Sequence, residues 1–300
     1  MDNIGQVPLE GPLMIGGRSH VVTSNDRLVR VGPKSNVSGY EFVRCDFSKL
    51  DLSNGKYSFA KFIECNFDGA NLTFSNLEGT VFERCSMKGL LAKHTELDRA
   101  CFSECDLGGA TFNHASLVFT TFDKSFLGGM QFRRGHMYLT HFVDVDLQGC
   151  DFAGVTMIDA YFNRAQSDET VMLTESSLHS VSMLQCRMPL AGWGIEADNL
   201  VISHCDFGQS MCRETVISRS AFSYVIFDDS SFGNIDVLES EFDHCSHFDA
   251  KIDDVRFEMT TYSSGYNSIN YSTADWSVVT SDLSKISVLD EERDQEDEQQ

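Results

Sequence analysis

Phenylalanine stands at residues 42, 62, 82, 102, 122, 142 and 162 without a break. A return to one bulky residue every twenty positions leaves few folds open, and internal repetition has to be read before any single element. Within each interval a shorter period appears. From Phe42 to Phe162 every fifth residue is large and apolar (Phe47, Leu52, Tyr57, Phe67, Leu72 and so on), with Ala92 the one exception. Two places before each of these centres the residue is usually small, and the place just before is often Asp or Asn, as in "CDF", "CNF" and "ANL".

A period of five matches neither a helix nor a long alternating strand. It does match a chain that turns a corner every five residues. The centre and the residue two before it then share one strand face and point inward, leaving three positions for water. Four such sides make one circuit of twenty, which stacks identical residues in columns. One inward column reads Leu50, Ala70, Leu90, Ala110, Met130, Cys150, and the small centre Ala92 lies beside the large Leu90. That is volume compensation in a packed interior. A four-sided all-β solenoid is expected.

The units "ANLTF" (70–74), "CDLGG" (105–109), "CDFAG" (150–154) and "ADW" (274–276) resemble those of the pentapeptide-repeat proteins. The resemblance implies a right-handed quadrilateral β-helix over roughly residues 40–262. The phase slips by one near 163–172, where Leu173, Leu178, Met183 and Met188 form a displaced run, and it returns at Ile202. "PLAGWGIEADN" (189–199) reads as a protruding loop between the two. Residues 1–39 are expected to be a leader and a β cap, the cap being two short strands around a polar turn in "SHVVTSNDRLVRV" (19–31). Residues 263–289 are expected to cap the other end, and "DEERDQEDEQQ" (290–300) to be a disordered acidic tail.

Eight of the ten cysteines occupy the small inward position: Cys45, Cys65, Cys85, Cys105, Cys150, Cys186, Cys205 and Cys245. Stacked about 4.8 Å apart, they do not converge as zinc ligands do. They read as small apolar filler. His94 and His114 share an outward corner with Arg134, and His204, His244 and His247 lie near inward cysteines. Neither group forms a metal pattern. Phosphate-binding glycine loops, nucleophile elbows and His-Glu-x-x-His are absent. No catalytic residue, cofactor or metal is therefore expected, and "NVS" (36–38) and "NLT" (71–73) are chance sequons in a cytoplasmic protein.

Neither a membrane span nor a secretory signal is expected, so cytoplasmic location is the default, or export by a specialised system. The net charge of −22 is uneven: residues 166–262 hold 17 acids and 5 bases, residues 40–165 hold 16 and 12. Direct nucleic-acid binding is disfavoured for want of a basic surface. The acidic half carries about one net charge per 2 Å of axis, close to the ~1.7 Å of duplex DNA. The expected partner is thus a protein with a basic surface, engaged through Asp228, Asp229, Asp236, Glu239, Glu241, Asp243, Asp249, Asp253, Asp254 and Glu258. The resemblance implies a sharper version, since some pentapeptide-repeat proteins bind DNA gyrase as DNA mimics and protect it from inhibitors. This chain departs from them in its length, its weakly charged first half, its tail and the lack of an obvious amphipathic C-terminal helix.

A second candidate surface is apolar. Val118, Phe119, Tyr138, Leu139 and Ile158 all fall at outward positions of the fourth side in three successive coils. They suit an interaction scaffold or a delivered bacterial effector, and a homodimer stays open. The alternative is that residues 163–200 or a cap fold over them.

Overall fold

The computed structural model describes residues 21–23, 31–247, 250–263 and 275–278. Among these every strand pairing is parallel and no helix occurs. The chain winds as a four-sided solenoid of stacked coils. The first side is centred on Phe42, Phe62 and their successors, the second on Phe47, the third on Leu52 and the fourth on Tyr57. The first side forms a thirteen-stranded sheet from Val21–Thr23 to Thr261–Ser263. The third and fourth sides supply the strands of the ten-stranded sheet, whose later members, such as Met211–Ser218, run across the corner between them.

The interior is a set of side-chain columns. Phe62, Phe82, Phe102, Phe122 and Phe142 stack with ring centroids 4.9–5.2 Å apart and nearly parallel planes. Phe47 and Phe67 of the second side meet that column edge-on. All of these rings are excluded from water.

The small inward position has a second duty beyond fitting. Thr80 Oγ1 donates to the Tyr57 carbonyl one coil below at 2.9 Å, and Thr120 and Thr140 repeat the contact on Leu97 and Leu117. The thiols of Cys65, Cys85 and Cys105 do the same towards Phe42, Phe62 and Phe82. The Asp or Asn before the centre accepts from the amide two residues on, as Asp46 does from Ser48 and Asn66 from Asp68. The residue two past the centre then turns the corner with positive φ, for example Arg44 (54°), Phe119 (58°) and Leu139 (51°). Local side-chain chemistry therefore makes each corner.

The phase change resolves into one inserted and one missing residue. Between the inward residues Ser167 and Leu173 the side is one residue longer, with Asp168, Glu169 and Thr170 all exposed. The next coil is offset by 21, pairing Phe162 with Met183 and Met157 with Leu178. The following one is offset by 19, pairing Met183 with Ile202 and Leu178 with Ala197.

The protruding loop expected at 189–199 is not found. Leu190–Trp193 pairs with Val171–Met172 below and with Ala191–Trp193 matched to Met211–Arg213 above, and Glu196–Asp198 pairs with Ser177–His179. Its inward centres are Gly192 and Ala197, so the apolar signal vanished where the coil continued. Gly192 is required: a Cβ there would lie 2.9 Å from the Thr174 amide nitrogen and 3.0 Å from the Leu173 carbonyl carbon.

The start of the solenoid also needs correcting. Val21–Thr23 pairs in parallel with Glu41–Val43, in the coil above it. Val37 is already buried in the core, and Asn36 bridges Lys56. Coils thus begin before residue 40. The leader at 1–20, most of the second cap strand, most of the expected C-terminal cap and the tail lie outside the described residues. Asp275–Val278 continues the ten-stranded sheet.

Candidate functional site

The fourth side carries the apolar candidates on a rigid backbone ladder. Phe119 N donates to Tyr138 O at 2.8 Å and Leu139 N to Ile158 O at 2.9 Å, so each residue is fixed over the next coil. Phe119 is 46% exposed, Tyr138 40% and Ile158 37%, while Val118 and Leu139 are half-buried between them. The five form one continuous apolar strip. Residues 163–200 complete their own coils and do not cover it.

Polar groups border the strip at both ends. Below it, Arg99 pairs with Glu78 at 3.1 Å, and Asp98 accepts from Ser116 Oγ at 2.5 Å and from the Val118 amide at 3.3 Å. Above it, Ile158 is followed in its column by His179 and Asp198. Asp198 accepts from both Nε and Nη2 of Arg219, at 2.8 and 2.5 Å, and from Ser218 Oγ at 2.8 Å, with His179 Nδ1 at 3.1 Å. The Arg219 contact, followed by that of Ser218, holds its carboxyl down to about 2.

The acidic candidates do not gather on one face. Glu241 and Asp243 lie on the first side, Asp228 and Asp229 on the second, Asp253 and Asp254 on the third, and Asp236, Glu239 and Glu258 on the fourth. Several have partners close by: Ser246 Oγ donates to Asp228, His244 meets Asp243 and Arg256 meets Glu258. Asp249 lies outside the described residues.

The corner columns hold features that only the twenty-residue spacing would have exposed. At the edge after the first side the column reads Arg44, Glu64, Arg84, Glu104, Lys124, Asp144, Arg164, alternating in sign. Arg164 grips Asp144 at 2.5 and 2.7 Å, and Arg84 approaches Glu64 at 3.4 Å. That edge is close to neutral overall. Further along it, Tyr224 is sandwiched between His204 and His244, with centroids 4.9 and 4.6 Å away. An open groove of about 540 Å³ runs beside it past Arg164, Arg187 and Asp206, but both faces of the Tyr224 ring are already covered.

His94 and His114 also stack face to face, at 4.8 Å, with Phe74 beneath. Their rings lie one above the other in a column. Among the described residues no three His, Cys, Asp or Glu side chains could hold a metal ion, and no helix is long and apolar enough to cross a membrane.

Residues 58–89 and 96–137 match the family model described as pentapeptide repeats, in eight copies. The chain carries pentapeptide repeats. Solved structures that align with this pentapeptide-repeat solenoid include HetL, a pentapeptide repeat protein involved in heterocyst differentiation regulation from the cyanobacterium Nostoc sp.; the identity is 15%, the coverage 73% of this chain and 86% of that one, and the TM-score 0.39. QnrB1, a plasmid-mediated fluoroquinolone resistance protein, aligns at 21% identity over 53% of this chain and 82% of its own, with a TM-score of 0.27. A mannuronic acid specific polysaccharide lyase from human gut microbiota aligns at 10% identity over 91% and 93%, with a TM-score of 0.39. These likenesses carry no partner or substrate over to the pentapeptide-repeat chain. No curated protein matches the sequence.

Proposed function

We propose that this solenoid is a non-enzymatic protein-binding rod whose contact surface is the apolar strip of the fourth side. One observation carries the reading: Phe119, Tyr138 and Ile158 stay exposed in three successive coils, contiguous and rigidly held. Isolated apolar residues on a surface need no explanation, whereas a contiguous strip does. Phe119→Asp and Leu139→Asp should abolish capture of the partner from the native host while circular dichroism stays unchanged. Undiminished capture by both variants would overturn the reading.

A second reading is favoured by charge. The acidic coils beyond residue 166 would offer a duplex-like field to a basic, DNA-handling protein such as a topoisomerase. Exposed carboxylates on all four sides suit a rod approached from any direction. Competition with DNA for a topoisomerase tests it. Salt-sensitive displacement of DNA that is lost on reversing Asp228, Asp229, Asp253 and Asp254 supports it, and no displacement by the unaltered protein eliminates it.

A further inference from the structure

We propose that the occupant of the fourth side is a second copy of this chain, laid antiparallel, so that Phe119 of one copy meets the partner's Leu139 and Val118 meets the partner's Tyr138. This rests on the reading of that side as a binding surface and names its partner.

The argument comes from the grid of outward residues. On the fourth side each coil presents three positions: one before the inward centre, one after it and two after it. Two copies face to face and antiparallel are related by a two-fold axis lying in the interface, at right angles to the solenoid. Such an axis keeps each position in its own column and reverses the order of coils. Placed midway between the coils of Leu117 and Met137, it brings the apolar strip onto itself.

The flanking charges then meet opposite charge or a neutral polar group. Arg99 faces the partner's Asp159, Lys56 faces the partner's Glu196, and Glu78 faces the imidazole of the partner's His179. The two-fold axis makes each of these twice. No charged residue in this stretch meets one of its own sign. Asp98 faces the partner's Ile158, but its carboxylate is already turned to Ser116 and the Val118 amide of its own chain.

Other registers lose this match. Moving the axis up half a coil, onto Met137, sets Glu78 against the partner's Asp198 and Phe119 against the partner's Asp159. Moving it down to Leu117 sets Arg99 on the partner's Leu139 and Asp98 on the partner's Tyr138. A parallel arrangement would put Glu78, Asp98 and Asp198 each against its own copy. Like charges so placed are strongly disfavoured.

The contact is also large enough. Eight coils, from the one centred on Tyr57 to the one centred on Ala197, extend about 38 Å at the strand spacing. An interface of ~1,000 Å² in total asks for about 500 Å² on each copy, a strip about 13 Å wide. Five residues can span ~16 Å, so one side suffices. The coils beyond Ala197 overhang at each end, carrying their carboxylates away from the contact.

Sedimentation equilibrium of the full chain over a range of concentration tests the proposal. A dimer is expected, weakened at least tenfold by Arg99→Asp and by Asp159→Arg alone, and restored when both are made together. A chain that is monomeric throughout, or a double swap as weak as either single change, overturns it. Should the chain be monomeric while Phe119→Asp still abolishes capture of a different protein, the self-pairing falls and the fourth side remains a binding surface. Should the chain dimerise with no effect of Phe119→Asp, the fourth side itself is wrong.

Discussion

Phe119 meets Tyr138 edge-on, with ring centroids 5.8 Å apart and planes inclined by 76°. The two rings belong to successive coils and are joined through the backbone by the amide-to-carbonyl bond of the ladder. A surface built this way is formed before any partner arrives. Little ordering cost is left for the binding step, which favours affinity for a given area.

Inward and outward aromatics should differ sharply in what they contribute to stability. Phe82 is wholly buried between Phe62 and Phe102, at 5.2 and 5.0 Å. Phe82→Ala should cost about 3–5 kcal/mol. Phe119→Ala, on the outside, should stay within ~1 kcal/mol. Urea denaturation of both variants measures the contrast.

Three fully buried thiols should be inert in the folded protein. The neighbouring Cys105 thiol, and then burial, push Cys85 up to about 12. Cys150 is raised to about 12, chiefly by burial, and Cys245 to about 11. Only the thiolate reacts with alkylating agents. Native protein at pH 8 should therefore leave these three unlabelled, and denaturant should expose them; mass spectrometry after iodoacetamide reads the outcome.

Acid should loosen the last coils through His247. This imidazole stacks on Phe227 at 5.1 Å, and burial pushes it down to about 4, against a smaller upward pull from Asp228. In the unfolded chain it titrates near 6.5. Between those values the unfolded state binds a proton that the folded state does not, so stability falls as pH drops from about 6.5 to about 4. The loss is on the order of 3 kcal/mol and levels off below that window. His247→Phe should remove this part of the slope when denaturation midpoints are compared at pH 7, 5.5 and 4.5.

Gly192 should refuse the residue that the repeat normally places at a centre. A Cβ would press on the backbone of Leu173 and Thr174, which cannot move aside as a side-chain tip could. Gly192→Leu should lose at least ~3 kcal/mol, whereas Ala197→Val, one side further on, should cost less. Thermal melting of the two variants checks the order.

The columns up to Phe162 were legible because bulky centres at intervals of five, with Phe returning at intervals of twenty, mark four sides per coil, and the buried set follows them through Phe142 and Phe152. Legibility failed where inward residues are small. Gly192 and Ala197 gave no apolar signal, so a continuous coil read as a loop, whereas the slip near 163–172 is the inserted residue itself. The strand at Val21–Thr23 was seen, but its pairing was not, since it lies one full circuit from its partner at Glu41–Val43. The apolar strip was readable residue by residue, because outwardness follows from the phase. Its charged border was not, because His179 lies in the displaced run and Asp198 in the stretch read as a loop.

The inserted residue near 168–170 and the missing one near 189–191 give this solenoid something like a reading frame. A single insertion shifts which residues look inward for every position downstream, as a frameshift changes every later codon. Here the second change restores the frame after one circuit, and all later columns, including Phe207 and Phe222, continue the earlier ones in phase. Length variation in such a chain is therefore tolerated in compensating pairs. A lone one-residue deletion in the coils of Phe82 or Phe102 would be far more damaging than any substitution there.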